Sequence, residues 1–222
     1  MKITKAKYLL SAMLIAACSL GFTACGDDNN DDNGGNGGNG GGATTSATIS
    51  SNEGSASYTH AFFFYSNVDS SAGSYGYEIE FSDFDFSSYI IANNWRGLPK
   101  KASIASLYIV TKQKATSGLP TGTFTTGSWA MSGAFNVPLV DGDYEIQDGA
   151  WYFDATEGSV TISKSGDIYK ITIDPLKAAW KKRQGSSDDE YTKTSSFVFK
   201  GKINDLTSYR DSGDDDDDDD ED

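Results

Sequence analysis

The chain is poor in the residues from which most catalytic and metal sites are built. Of its 222 residues only two are cysteines, Cys18 and Cys25, and both precede residue 26. The region beyond them can form no disulfide, no cysteine-ligated zinc site and no cysteine nucleophile. There is one histidine, His60, which excludes multi-histidine metal centres and leaves room for at most one histidine-based relay. No G-x-S-x-G, H-E-x-x-H or G-K-[ST] sequence occurs, so the common serine-hydrolase, zincin and P-loop signatures are absent. Long helical periodicity and a basic excess are missing too. Fourteen of the 32 acids lie in residues 27–32 and 211–222, leaving 18 against 15 Lys and Arg in between. A nearly neutral domain between acidic tails has no electrostatic case for binding nucleic acid.

The cysteines sit in an address segment. Lys2, Lys5 and Lys7 precede the uncharged run YLLSAMLIAACSLGFTAC, the basic and apolar regions of a secretory signal. The run falls short of the roughly 20 apolar residues that span a bilayer comfortably. Residues 22–25, FTAC, resemble the lipobox of bacterial lipoproteins, in which the cysteine is acylated and becomes the N-terminus. IAAC, residues 15–18, fits the same pattern, but cleavage there would leave the apolar SLGFTAC beside the membrane. Cys25 is therefore the expected lipidation site, with residues 1–24 as signal peptide. More than one acyl chain, as that family carries, gives durable anchoring. GDDNNDD, immediately after Cys25, resembles the acidic export signal of surface-exposed lipoproteins of the Bacteroidota. That resemblance implies an outer-membrane protein facing the cell exterior.

Residues 25–46 read as lipidated cysteine, export label and Gly/Asn linker, since nothing there could seed a core. Such a linker has a reach of about 25 Å. Gly35, Gly37 and Gly40 spell G-x-G-x-x-G, but without a strand before or a helix after, the pattern carries no phosphate-binding meaning. At the other end, residues 209–222 form a poly-Asp tail that repels itself.

Between them, residues 47–208 are expected to form one all-β domain. YTHAFFFYS reads as a buried strand or the wall of a groove. YGYEIEF alternates, with Tyr75, Tyr77, Ile79 and Phe81 on one face and Glu78 and Glu80 on the other. The apolar phase then jumps to Phe84 and Phe86, which a bulge at Ser82 and Asp83 would accommodate. SIASLYIVT and the segment around Phe124 and Trp129 add strands. GSVTISKSGDIYKITIDP is the clearest hairpin, and SSFVFKGKIN closes the series. PLKAAWKKR is the single helical candidate. Turns about every ten residues and no βαβ rhythm predict an antiparallel β-sandwich or barrel of roughly eight to ten strands. The series LPTGTF, GSVTISKSGDIYKITI and FVFKGKI resembles the C-terminal half of many small Bacteroidota lipoproteins, and its glycines speak to backbone geometry.

Four groups of residues bear on function. Glu78 and Glu80 stand about 7 Å apart on one strand face, within the range of an inverting glycosidase. With Asp83 and Asp85 they loosely resemble the acidic strand of β-sandwich endoglucanases, although the acid types are exchanged and the chain is short. DGDYEIQDG offers Asp141, Asp143, Glu145 and Asp148 as oxygen ligands for calcium, but Ile146 stands where an EF-hand requires glycine. ANNWRGLPKK sets Trp95 beside Asn93, Asn94 and Arg96, a set suited to stacking on a sugar ring and bonding its hydroxyls. Lys177, Lys181, Lys182 and Arg183 form a basic cluster that the acidic tail could meet. No catalytic set emerges. The expectation is a non-catalytic module binding glycan or another extracellular ligand, with an adhesin or pilus-anchor subunit as alternative and a glycoside hydrolase third.

Overall fold

The computed structural model describes residues 47–50, 54–69, 73–94, 96–140, 143–144, 150–184 and 187–210. Its strands are β1 (Ala47–Ser50), β2 (Ser55–Tyr58), β3 (His60–Asp69), β4 (Ser74–Ser82), β5 (Lys101–Thr111), β6 (Gly122–Thr125) and β7 (Trp129–Val140). They continue with β8 (Asp143–Tyr144), β9 (Trp151–Glu157), β10 (Ser159–Ser165), β11 (Ile168–Gln184), β12 (Ser187–Gly201) and β13 (Asn204–Asp205). Two short helices, α1 (Phe86–Ala92) and α2 (Thr207–Arg210), complete the chain. The fold is all-β. β1 and β2 make a separate hairpin, and the main sheet runs β13-β3-β4-β5-β7-β9-β11-β10-β6, with β12 paired to β11 and β8 to β7. Setting aside the two-residue strands β8 and β13, nine strands build the main sheet, within the expected range. Every pairing is antiparallel except β13 with β3.

β11 explains how one sheet encloses a core. Its first part, Ile168–Ile173, pairs with β10, and its second part, Lys177–Lys182, pairs with β9, while β12 follows it along both. The ladder with β12 breaks between Ile173 and Leu176, where Pro175 has no N–H to give. The sheet thereby folds over a single sandwich-like interior. Ile79 and Phe81, Leu107 and Ile109, Ile171 and Ile173, Trp180, and Phe197 and Phe199 fill it at near-zero exposure. Tyr58 of the separate hairpin also lies inside, with ring centroids 6.5 Å from Phe81 and 6.3 Å from Phe197.

The predicted hairpin is present, with Val160 opposite Ile173 and Ile162 opposite Ile171, and Gly166 in its turn at φ +57°. Two local expectations are corrected. PLKAAWKKR is strand, because β9 and β12 flank it and Leu176, Ala178 and Trp180 alternate inward with period two. The jump to Phe84 and Phe86 is a departure from the sheet rather than a bulge. Asp85 caps α1 there, and Phe86 stacks on Phe62 at 6.0 Å on the sheet's outer face. No described helix is long and apolar enough to cross a membrane.

Candidate binding site at one end of the sheet

Antiparallel pairing brings three connections to the same end of the main sheet. β4 leads through α1 to β5, β7 through β8 to β9, and β11 turns directly into β12. The turn between α1 and β5, the C-terminal end of β7 and the basic end of β11 therefore share one rim, although about 90 residues of sequence separate the first from the last. Sequence spacing alone does not show that convergence.

At this rim the inward face of the sheet changes character. Along β9, Ala155 and Phe153 are fully buried and Trp151 is only partly so. β11 repeats the gradient from Ala178 and Trp180 to Lys182, and β7 from Met131 to Phe135. Phe135 is opposite Trp151 in register, Trp151 opposite Lys182, and Trp180 opposite Tyr191. Trp151 and Tyr191 meet edge to face at 5.5 Å, and the Lys182 ammonium lies 5.8 Å from the Trp151 ring. Beneath them Trp180 packs 4.9 Å from both Phe135 and Phe153. Its Nε1–H is buried with no hydrogen-bond partner among the described residues. The core thus ends in a mouth of partly exposed rings with a cation beside them. Rings of this kind offer apolar faces for a planar or pyranose ligand, and the ammonium offers hydrogen bonds.

The residues singled out from sequence divide into several fates. Asn93 takes a left-handed conformation at φ +46° and ends α1. The Asn94 carboxamide oxygen accepts the Arg96 N–H at 3.2 Å, and the Tyr89 hydroxyl donates to the Gly97 carbonyl at 3.1 Å. Asn93, Asn94 and Arg96 are all exposed on this organised turn, while Trp95 lies outside the described residues. Cys25, Asp141, Glu145 and Asp148 also lie outside them, and Asp143 is described only as backbone in β8. Among the described residues no group of three His, Cys, Asp or Glu is placed to hold a metal ion.

The acids near β4 do not act as one set. Asp83 accepts the Ser103 N–H at 3.0 Å. Asp85 accepts the Ser87 hydroxyl at 2.6 Å and the Ser88 N–H at 3.3 Å, which caps α1. Glu78 and Glu80 do share the outer face, as the alternation requires, and Glu78 is buried there at 5% exposure. His60 is exposed, its Nδ1 2.9 Å from the Thr59 hydroxyl. The Thr59 hydroxyl also reaches the Asp83 carbonyl at 3.3 Å, which makes His60 part of a local network at the strand start.

Sequence reasoning missed Phe135, Trp151, Lys182 and Tyr191 as a group. The usable signal was an inward-facing lysine, Lys182, in phase with Trp180 and Ala178, but it was hidden while PLKAAWKKR read as helix. Comparison with protein-family models, curated proteins and solved structures returns no match to this chain.

Proposed function

We propose that this chain is a non-catalytic binding module for glycan or another extracellular ligand, held through Cys25 in the outer membrane and facing the cell exterior. The observation that carries the ligand-binding reading is the ring-lined mouth of Phe135, Trp151 and Tyr191 with Lys182, at the rim shared with the Asn93–Arg96 turn. The occupied acids support the non-catalytic part, because Asp83 and Asp85 are engaged by backbone and cap bonds. The anchor rests on the lipobox and the acidic label after Cys25.

Screening the mature chain against a broad glycan array tests the first part. Binding is expected, and Trp151→Ala and Trp95→Ala are each expected to weaken it about tenfold, the scale of one lost ring contact. No glycan bound, or full affinity in both variants, would sink the reading. Incorporation of a palmitate analogue that persists in Cys25→Ala would sink the anchor.

One observation favours the adhesin alternative. β12 is 15 residues long, its only described ladder is with β11, and the four-residue β1 packs beside only part of it, so the rest of its other edge is a template for a partner strand. A stable partner recovered by surface crosslinking through β12 would favour that role.

A further inference from the structure

The acidic tail leaves the domain beside lysines that no carboxylate answers. α2 ends at Arg210, and residues 211–222 carry ten acids. α2 is fixed to β3, because the Tyr65 N–H donates to the Thr207 hydroxyl at 2.9 Å and the Leu206 N–H to the Phe63 carbonyl at 2.9 Å. The Lys114 ammonium lies 4.1 Å from the centre of the same Tyr65 ring. One tyrosine therefore holds the Thr207 hydroxyl and the Lys114 ammonium within about 12 Å of each other.

Two tyrosine hydroxyls pin the loop that carries Lys114. Tyr77 accepts the Ala115 N–H at 2.7 Å, and Tyr169 accepts the Leu119 N–H at 3.2 Å. The step from Ala115 to Leu119 spans at most about 14 Å. Past it, the Lys164 ammonium lies 4.9 Å from the Tyr169 ring centre. Next to Tyr169 on β11, Lys170 stands directly opposite Lys200 of β12, a pairing of like charges that costs stability unless an anion answers it. Lys114 and Lys164 are exposed, and neither has a carboxylate partner among the described residues. Asp167 is taken by Lys202 at 3.5 Å, and Asp205 by the Thr207 N–H at 3.0 Å. The basic cluster near the mouth differs on this point. Lys177 pairs with Glu157 at 2.7 Å and Lys181 with Asp154 at 3.1 Å, while register sets Lys181, Lys182 and Arg183 opposite Glu190, Asp189 and Asp188. Its charge is matched within the sheet.

We propose that the acidic tail, residues 211–222, docks on the surface formed by Lys114, Lys164 and the Lys170–Lys200 pair, not on the basic cluster near the mouth. Twelve extended residues reach about 40 Å, enough to cross from α2 over the pinned loop. Docking sets acids that repel one another along the tail against cations that repel one another on the sheet. Exposed ion pairs are individually weak. The tether at Arg210 compensates, because a short linker gives the tail an effective concentration of about millimolar at this surface.

Acylation of individual lysines in the mature chain, read by mass spectrometry, tests it against a variant whose ten tail acids are replaced by Asn and Gln. At low salt Lys114 and Lys164 are expected to react about threefold more slowly in the parent than in the variant, and the difference to vanish at about 1 M salt, where the screening length is about 3 Å. Lys177 and Lys182 are expected to react equally in both proteins. Equal rates at Lys114 and Lys164 overturn the docking. Slowing at Lys177 and Lys182 instead puts the tail on the cluster near the mouth and overturns it as well. Slowing that fades on dilution assigns the contact to the tail of a neighbouring copy and overturns the intramolecular arrangement. The reciprocal variant, Lys114→Gln with Lys164→Gln, changes two exposed side chains and leaves the core intact. Cleavage of its tail by an aspartate-specific protease is expected to run about threefold faster than in the parent at low salt, and an unchanged rate overturns the proposal.

Discussion

Gly133 makes the packing of the sheet quantitatively testable. It sits in β7 opposite Phe153, and its φ lies outside the left-handed region, so its need for glycine comes from space alone. A Cβ there would lie 2.6 Å from Phe153 Cε1, 2.8 Å from Phe153 Cζ and 2.8 Å from the Ile104 carbonyl oxygen. Neither neighbour can retreat: the carbonyl is backbone, and the Phe153 ring is fully buried with Trp180 4.9 Å behind it. Overpacking of this kind costs about 1–3 kcal/mol. Replacing glycine by alanine returns about 0.4–1 kcal/mol by restricting the unfolded chain. Gly133→Ala should therefore lose roughly 0.5–2 kcal/mol, lowering the melting temperature by roughly 2–6 °C at this chain size. Urea unfolding followed by tryptophan fluorescence measures it directly. Phe153→Leu in the same chain should recover part of the loss, with a coupling of at least about 0.5 kcal/mol. A Gly133→Ala variant as stable as the parent would refute the close approach of β7 and the Phe153 ring.

Three further outcomes follow from buried or capping groups. The Tyr58 hydroxyl is buried without a partner among the described residues, so Tyr58→Phe should stabilise by about 1 kcal/mol in urea unfolding, and a loss would reveal a missed bond. Burial, with Asp83 adding to it, pushes the Tyr58 phenol well above its ordinary range, and burial raises Tyr77 also. Raised phenols favour the folded state fully below the unfolded value near pH 10, and that contribution is lost as pH climbs beyond it. Stability measured from pH 9 to 11.5 should fall in the upper part of that range and fall less steeply in Tyr58→Phe. Equal slopes would count against a buried phenol. Asp85→Ala should cost about 1 kcal/mol by uncapping α1, whereas Asp85→Asn should cost much less, and equal losses would place the effect elsewhere.

The strands were legible wherever one face is wet. Val160 and Ile162 against Ile171 and Ile173, or Tyr77 through Phe81, alternate because each strand buries one side, and period two survives in the sequence. The helix at Phe86 was missed because its apolar residues continue the aromatic run of β4, although Asp85 followed by Ser88 three positions later is a cap geometry. PLKAAWKKR was misread for the opposite reason. Leu176, Ala178 and Trp180 are short-range compatible with either period, and only pairing on both sides by β9 and β12 selects the strand. The mouth was invisible because Phe135, Trp151, Lys182 and Tyr191 come from four strands, and register places them together.

On the proposed anchoring at Cys25, the β1–β2 hairpin is the first described element that a load on the chain would meet. Its two strands hydrogen-bond as a ladder only to each other, yet Ala47, Ile49, Ala56 and Tyr58 are buried in the common core. In a chain held at Cys25, tension on the tether reaches Ala47 first, and resistance there comes from apolar packing and from the Thr59 N–H bond to the Ser82 carbonyl. A hairpin with so few ladder bonds to the rest of the chain is expected to yield before the long ladders of the main sheet do. On the proposed anchoring and ligand binding, a domain pulled by its ligand would lengthen at its root while the strands of the main sheet stay assembled.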